Sequence, residues 1–455
     1  MKILNKYSVI VTGGGISGVA AAIAASRKGA ETLLIERNGY LGGMLTAAGV
    51  GPMMTFHGGK DQVIKGITGE LIDRLVKKGK SLGHIFDTIG YTYTITPFDA
   101  EWMKHEMELM LLEAGGKLLY HTNLAGVNVN DGYIKEITVC NKAGLNRLEA
   151  GVYIDATGDA DLSAWAGVDC IKGRETDGAN QPMTMNMKMV NVNTEKIKTF
   201  VKDNPDEFPY LKGNTGMVDM APRLAISGFV KTLEKARKSG EITSLLEGVL
   251  FFETNNPGEV IVNTSRLHGY DATNPWDITA AEIQGRKQVR ELEKFFINRV
   301  PGFENSILIQ SGPSIGVRSS RQIKGLYTLS HSDILTGKSF VDVIAHSGYP
   351  IDIHSPDGKE NAVKDDMHIK PGTVYSIPYR CLVNEKIHNL ITVGRCISAT
   401  FEAQGAIRTT PTAGAIGHAG GVAAYLSLAG KIYTKDININ DLHKILLEQG
   451  AYLKI

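Results

Sequence analysis

The first 36 residues run strand, glycine turn, helix and strand with almost nothing between them, and few folds accept that succession. Residues 7–12 (YSVIVT) are apolar and β-branched, as suits a strand buried on both faces. Residues 13–18 are GGGISG, residues 19–28 form an alanine-rich helix, and residues 31–36 (ETLLIE) make the second strand. Gly13, Gly15 and Gly18 spell G-x-G-x-x-G between strand and helix, the pattern of a dinucleotide site. Gly13 permits the tight turn, Gly15 lets a pyrophosphate approach the backbone, and Gly18 lets the helix close on the strand. The helix start offers unpaired N–H groups and the positive end of its dipole to phosphates. Glu36 follows Gly18 by 18 positions, where its carboxylate can accept from ribose hydroxyls.

NAD and FAD sites share that pattern, and the residues after Glu36 separate them. Residues 36–43 (ERNGYLGG) lead from the ribose carboxylate through Arg37 to Gly42 and Gly43, with Met44 next. A long, fixed cofactor such as FAD needs close backbone approach beyond its pyrophosphate, and a second glycine pair supplies it. An NAD-dependent dehydrogenase is the alternative at this point.

A chain of 455 residues exceeds one core and implies two domains, while a net charge of +1 points to neither nucleic acid nor an anionic membrane. Cys140, Cys170, Cys381 and Cys396 form no C-x-x-C pair. That argues against iron–sulfur clusters and structural zinc, so no metal is expected and the thiols read as reduced and mostly buried. No signal peptide is read before the first strand, and the apolar run there is too short to span a membrane. A cytoplasmic location is therefore expected.

Along the chain, helices are expected over 69–77 and 98–114, the second stopped by Gly115-Gly116. Strands are expected at 117–122, 126–129, 134–140 and 148–154, a β-meander returning to the parallel sheet. It ends at Ala156, Thr157 and Gly158, on the sheet edge that carries the first glycine turn. Asp159 and Asp161 follow as a helix cap or as cofactor contacts. The middle of the chain mixes strands (183–189, 248–253) with a helix over 278–299, whose apolar stripe is read as Ala281, Ile283, Val289, Leu292, Phe295 and Phe296. Polar residues cluster at Arg266 and His268, Arg318 and Arg321, His346, and Asp352 with His354. Arg318 and Arg321 clamp a carboxylate if their stretch is helical, and point apart if it is a strand. His354 is a candidate general acid or base because its free pKa lies near neutrality. His57 reads more readily as a hydrogen-bonded loop histidine than as a ligand contact. Residues 388–395 read as strand and glycine turn, and residues 415–426 as a helix with Thr410 as N-cap and Pro411 in its first turn. That helix aims its positive end at the reduced ring of a flavin.

The segments at 13–18, Glu36, Gly42-Gly43, 155–159, 316–321 (GVRSSR) and 394–398 (GRCIS) resemble the FAD-dependent oxidoreductases of the glutathione-reductase-like superfamily. They are most similar to a bacterial group sharing its flavin fold with the A subunit of heterodisulfide reductase. That resemblance implies noncovalent FAD, with Gly13, Gly15 and Gly18 at the pyrophosphate and Glu36 on the ribose. It places Arg395, Ala413 and Gly414 near the pyrophosphate and flavin ring. Ile16, Ser17, Arg37, Met44, Ala156, Thr157 and Gly158 complete the expected cofactor contacts. The cysteine-rich cluster motifs of heterodisulfide reductase subunits are missing from this sequence, so no iron–sulfur function carries over.

The expected fold is α/β: a Rossmann-like FAD-binding domain (parallel sheet plus β-meander) with an inserted α+β substrate domain. Residues 1–165 and 372–455 would form the first and residues 166–371 the second. The expected function is hydride transfer between a small organic substrate and flavin N5, with His354, Arg318 and Arg321 handling substrate and proton. A flavin-binding electron-transfer subunit serving a partner protein is a further reading. An external electron acceptor or donor is expected, with no nucleic acid and no membrane span, and homo-oligomer formation is left open.

Overall fold

The computed structural model describes residues 3–246, 248–358, 369 and 372–455. The strands Ile3–Thr12 and Thr32–Ile35 lie parallel because the helix between them, Ile16–Arg27, carries the chain back across one face of the sheet. Lys117–Leu119 extends the sheet beyond Thr32–Ile35, and Gly144–Asp155 pairs in parallel on the other side of the first strand. The last residues of Gly144–Asp155 take Leu390–Thr392 as one more parallel neighbour. Its first residues pair antiparallel with Tyr133–Asn141, which pairs in turn with Asn123–Asn130. This is the Rossmann-like sheet with its β-meander. The strand at 117 belongs to the parallel sheet and not, as its sequence position suggested, to the meander.

Register levels the strand ends. Thr12 lies opposite both Ile35 and Asp155, and Asp155 lies opposite Thr392. Four carboxyl ends thus form one edge, where open α/β sheets take their ligands. The helix Thr410–Gly430 closes over this arrangement by backbone contact with Ile16–Arg27. A Cβ on Gly417 would sit 2.0 Å from the Ser17 carbonyl oxygen, and one on Gly421 2.1 Å from that of Ala21. Only Gly420 of the three packs on the sheet, against Val393. Thr409 precedes the helix as its N-cap residue, one position earlier than expected, and Pro411 sits in the first turn.

The middle of the chain builds a second, wholly antiparallel sheet in the order Ala225–Gly228, Val249–Glu253, Val260–Val262, Met187–Val190, Ile307–Ser311. The helix Pro275–Arg299 packs on it through buried Ala281, Val289, Leu292, Phe295 and Phe296. Ile283, expected in that stripe, is 53% exposed because two residues from Ala281 is more than half a turn around the helix. Asn274 caps the helix, accepting from the Trp276 N–H at 2.9 Å. The inner boundary expected at residue 371 falls outside the described residues. Cys381 and Cys396 are buried, Cys170 half-buried and Cys140 exposed, all as free thiols. No helix among the described residues is long and apolar enough to cross a membrane.

Candidate active site

One continuous cavity of about 490 Å³ runs from the glycine turn at the sheet edge to the antiparallel sheet. Gly13, Gly15, Ile16, Ser17, Glu36, Arg37, Gly42, Gly43, Met44, Ala156, Thr157, Gly158, Arg395 and Ala413 all line it. Two glycine turns meet back to back here: Gly15 bridges Gly42, and the Gly42 N–H donates to the Gly14 carbonyl at 2.8 Å. A Cβ on Gly43 would lie 2.8 Å from the Gly15 Cα, whereas one on Gly15 would find no atom nearer than 4.0 Å. The Gly15 backbone therefore faces open cavity. Gly15 is also the N-cap of Ile16–Arg27 and supplies no side chain, which leaves the first N–H groups of that helix for a ligand.

Glu36 is buried and already oriented. One carboxylate oxygen accepts from the Gly14 N–H at 2.6 Å, the other from the Asn38 N–H and side-chain amide, each at 2.8 Å. Gly18 and Gly414, expected among the contacts, do not line the cavity. A Cβ on Gly18 would strike the Gly13 carbonyl oxygen at 1.9 Å, and one on Gly414 the Thr68 hydroxyl at 2.3 Å. Both positions serve packing.

Beneath the loop of Ala156, Thr157 and Gly158 lies Asp155, fully buried, whose carboxylate accepts from the N–H and hydroxyl of Thr157 and from the N–H and hydroxyl of Ser163. It does the work the sequence offered to Asp159 and Asp161, since the helix Asp161–Trp165 has no side-chain cap. Asp159 instead pairs with Arg395 at 2.7 Å, and the Arg395 guanidinium lies so close over Gly158 that a Cβ there would sit 2.7 Å from it. Asp161 pairs with Arg321 at 2.8 Å.

Burial, then the carboxylates of Asp159 and Asp155, push the Asp161 carboxyl up to about 6 against the pull of Arg321 and Arg37. Its ordinary value is 3.8. Between roughly pH 4 and 6 the native state still holds this proton while the unfolded chain has shed it, so stability from this group falls as pH rises through that window. Asp161→Asn is accordingly expected to raise the thermal midpoint more at about pH 7.5 than at about pH 4.5. Equal shifts at the two pH values would refute the assignment.

The far end of the cavity carries Tyr91, Arg266, Arg318, Tyr349, Asp352, His354 and Arg408, with Val50, Pro52, Met54, Ile89, Leu250 and Phe252 as apolar walls. Asp352 is the hub. The Arg408 guanidinium donates to its carboxylate at 2.6 Å and its carbonyl at 3.0 Å, the Tyr349 hydroxyl donates at 3.2 Å, and His354 Nε2 lies 3.7 Å from the other oxygen. Burial pulls the Asp352 carboxyl upward, but His354, Arg408 and Arg318 outweigh it and hold the group below the usual range. A buried amide pair positions the two expected residues: Gln181 accepts from the His354 N–H at 3.2 Å, and Gln404 donates to the Arg318 carbonyl at 2.8 Å. Gln404 comes from the helix Phe401–Ile407, which sequence reading did not anticipate.

Of the three residues expected to handle substrate, then, His354 and Arg318 share the cavity and Arg321 does not. Arg321 opens the strand Arg321–Ile323 and residues 317–320 before it are neither helix nor strand, so no helix face joins the two arginines and of the two Arg318 alone lines the cavity. Arg318 donates to the Pro182 carbonyl at 2.6 Å while Arg321 turns to Asp161. His268 bonds the carbonyls of Pro356 and Leu245, and buried His346 bonds Ser376 and the Lys454 N–H. His57, expected in a loop, lies in the two-residue strand His57–Gly58 paired with Asp61–Gln62, and its ring bonds the Thr94 hydroxyl. Sequence reading passed over Tyr91 and Arg408. Tyr91 is presented by a loop that folds around fully buried Asp87, whose carboxylate accepts from the N–H groups of Ile89, Tyr91 and Thr92. Arg408 stands at the corner between two helices, just ahead of Thr409. The turn-forming Asp87 and Gly90, and an arginine next to a helix start, were the available signals.

Residues 8–446 match the model of a family described as FAD dependent oxidoreductase, and the chain belongs to that family. The match decides for FAD over NAD. Among solved structures, p-nitrophenol 4-monooxygenase from Pseudomonas putida is similar at 10% identity and a TM-score of 0.50, over 99% of this chain and 87% of that one. A geranylgeranyl bacteriochlorophyll reductase-like protein from Thermoplasma acidophilum is similar at 13% identity and a TM-score of 0.47, over 98% and 84%. L-proline dehydrogenase from P. horikoshii is similar at 13% identity and a TM-score of 0.45, over 100% of both chains. At 10% identity the first of these likenesses bears on the fold alone. The nucleotide end suits FAD on its own geometry, because a bare backbone faces the cavity at Gly15, an uncapped helix start adjoins it, and a pre-oriented carboxylate stands at Glu36.

Proposed function

We propose that this enzyme oxidises or reduces a small organic substrate at the cavity end lined by Tyr91, Arg318, Asp352, His354 and Arg408. FAD, when bound, supplies the redox chemistry, exchanging a hydride with a substrate carbon at N5 of its ring. The reading rests chiefly on the continuity of one cavity between the Gly13–Gly15 turn and that polar cluster. In it, residues 1–165 and 372–455 hold the cofactor and residues 166–371 cover the substrate.

Each chain segment then has a defined task. The Gly15 backbone and the start of Ile16–Arg27 hold the pyrophosphate, with Arg395 alongside, and Glu36 takes the ribose. The uncapped start of Thr410–Gly430 turns its positive end to the cavity at Thr409 and Thr410 and favours negative charge on the ring. His354 holds a proton for exchange with the substrate, its Nε2 lying 3.7 Å from the Asp352 carboxylate. Val50, Pro52, Met54 and Phe252 exclude water from the reacting atoms.

The second electron partner is a small redox carrier, a quinone, oxygen or a protein, and not a pyridine nucleotide. Supporting this, the sequence has a single G-x-G-x-x-G strand–helix unit, and the other large sheet among the described residues is antiparallel throughout. Anaerobic NADH is expected to reduce the yellow enzyme slowly or not at all, read as retention of the flavin band near ~450 nm. Rapid stoichiometric bleaching would overturn this assignment. A preparation that stays colourless after incubation with FAD would sink the larger reading.

A further inference from the structure

We propose that the substrate carries an amino-acid unit, an N–H and a C=O on either side of one carbon, and that this unit pairs with the free backbone edge at Ser227. This deepens the function proposed above and rests on it.

The strand Ala225–Gly228 ends the antiparallel sheet, with Val249–Glu253 as its neighbour on one side. Along such an edge, successive residues turn their N–H and C=O groups alternately toward the neighbour and away from it. Ala225 turns them away: its N–H donates to the Thr88 hydroxyl at 2.8 Å, and that hydroxyl donates to the Ala225 carbonyl at 2.7 Å. Ser227, two residues on, repeats that orientation. Leu250 opposite it agrees, since the Leu250 N–H donates to the Thr264 hydroxyl and its carbonyl accepts from the Asn263 N–H, both on the far side of the strand. Among the described residues, neither the N–H nor the carbonyl of Ser227 has a partner.

The unpaired edge opens on the cavity. Ser227 is half-buried and lines it, as do Leu250 and Phe252 from the same face of the sheet. Two segments that flank the strand line it as well: the turn Pro209–Leu211 through Pro209 and Tyr210, and the loop of Thr88 through Ile89 and Tyr91. Tyr91 meets Tyr349 edge-on at 5.9 Å, and Tyr349 donates to Asp352, so the loop that closes the edge at Ala225 also joins it to the polar cluster. One strand residue with both groups facing out is matched by a second residue facing back, each N–H donating to the other's carbonyl. An amino-acid unit has that spacing in a peptide-like amide and also as the free acid, whose ammonium and carboxylate take the same two places. Leu250, Phe252 and Ile89 around the edge suit an apolar side chain on that unit.

The test uses the holoenzyme with N-acetylleucine N-methylamide, its phenylalanine counterpart, and free leucine and phenylalanine, with binding read by calorimetry and by perturbation of the flavin spectrum. At least one is expected to bind. Its analogue without the nitrogen donor, an ester for the amides and the deaminated acid for the free amino acids, is expected to bind about tenfold more weakly. Binding of the amides alone would assign a peptide-like substrate, and of the free amino acids alone a small one. Ser227→Pro removes an N–H that no protein group accepts, at an edge position where proline is tolerated. It is expected to weaken the ligand about tenfold while flavin content and thermal midpoint stay near the parent values. If the proline variant does not fold, the ligand pairs on the parent enzyme decide the question. Failure of every probe, analogues that bind as tightly as their parents, or a folded Ser227→Pro enzyme with unchanged affinity would each overturn the proposal. So would a Ser227→Ala enzyme that loses as much affinity as Ser227→Pro, because alanine keeps both backbone groups. Flavin content is read first. A colourless protein fails the cofactor assignment, whereas a yellow enzyme indifferent to the nitrogen donor fails this inference alone.

Discussion

Gly15→Ala is expected to give a folded protein with less than about a tenth of the parent's bound FAD, while Gly18→Ala is expected to lose both cofactor and stability. The two glycines stand three residues apart in the same turn, yet a methyl group meets opposite surroundings at each. At Gly15 the backbone angles (φ −67°, ψ 172°) suit alanine, and the new carbon would touch nothing within the protein closer than 4.0 Å. It would occupy the space where a pyrophosphate must approach the chain. At Gly18 the same carbon would fall 1.9 Å from the Gly13 carbonyl oxygen and 3.0 Å from the Ala156 side chain. No rotamer relieves a clash with backbone, so the helix must shift. Overpacking of this kind costs about 1–3 kcal/mol or more, which exceeds the ~1 kcal/mol that alanine gains over glycine inside a helix. Flavin absorbance per chain and the unfolding midpoint of the cofactor-free proteins separate the two outcomes. A fully yellow Gly15→Ala enzyme would show that the pyrophosphate lies elsewhere.

Asp155→Ala is expected to be strongly destabilising. Its carboxylate has no solvent contact and accepts four hydrogen bonds, from Thr157 at 3.0 and 2.7 Å and from Ser163 at 2.8 and 2.7 Å. The hydroxyls can turn to other acceptors, and that of Ser163 already meets Thr392 at 2.8 Å. The two backbone N–H groups cannot. Leaving such donors dry costs about 1–3 kcal/mol each, giving on the order of 3–5 kcal/mol against a total stability of about 5–15 kcal/mol. Asp155→Asn should fall between, since the amide keeps one acceptor oxygen and sets its NH2 against donors. The expected reading is a lower denaturant midpoint at unchanged slope. A midpoint within error of the parent would rule out Asp155 as the residue that holds the loop of Ala156, Thr157 and Gly158.

The nucleotide half of the site was legible in the sequence because its determinants are local. The turn at Gly13–Gly18, the carboxylate at Glu36 and the pair Gly42-Gly43 lie within one strand–helix–strand unit, and each residue type answers a constraint imposed by its immediate neighbours. Fourteen of the sixteen expected cofactor contacts line the cavity, and the two exceptions, Gly18 and Gly414, are glycines whose open side faces another segment of chain. A residue type shows that space is needed there without showing what fills it.

The substrate half was not legible in the same way. Arg318 and Arg321 would share a face in a helix, but Arg321 is drawn into a strand by pairing of Arg321–Ile323 with Cys170–Lys172, some 150 residues earlier, and the two arginines take partners as distant as Pro182 and Asp161. Tyr91, Asp352 and Arg408 meet only because two sheets enclose one space, and no window of sequence contains more than one of them. The amino-acid order by itself determined a dinucleotide turn and the parallel sheet that supports it, since backbone sterics and hydrogen bonding act between near neighbours. Which polar side chains face that turn across the cavity was decided by tertiary structure alone, because burial and charge pairing act between residues that the chain brings together only on folding.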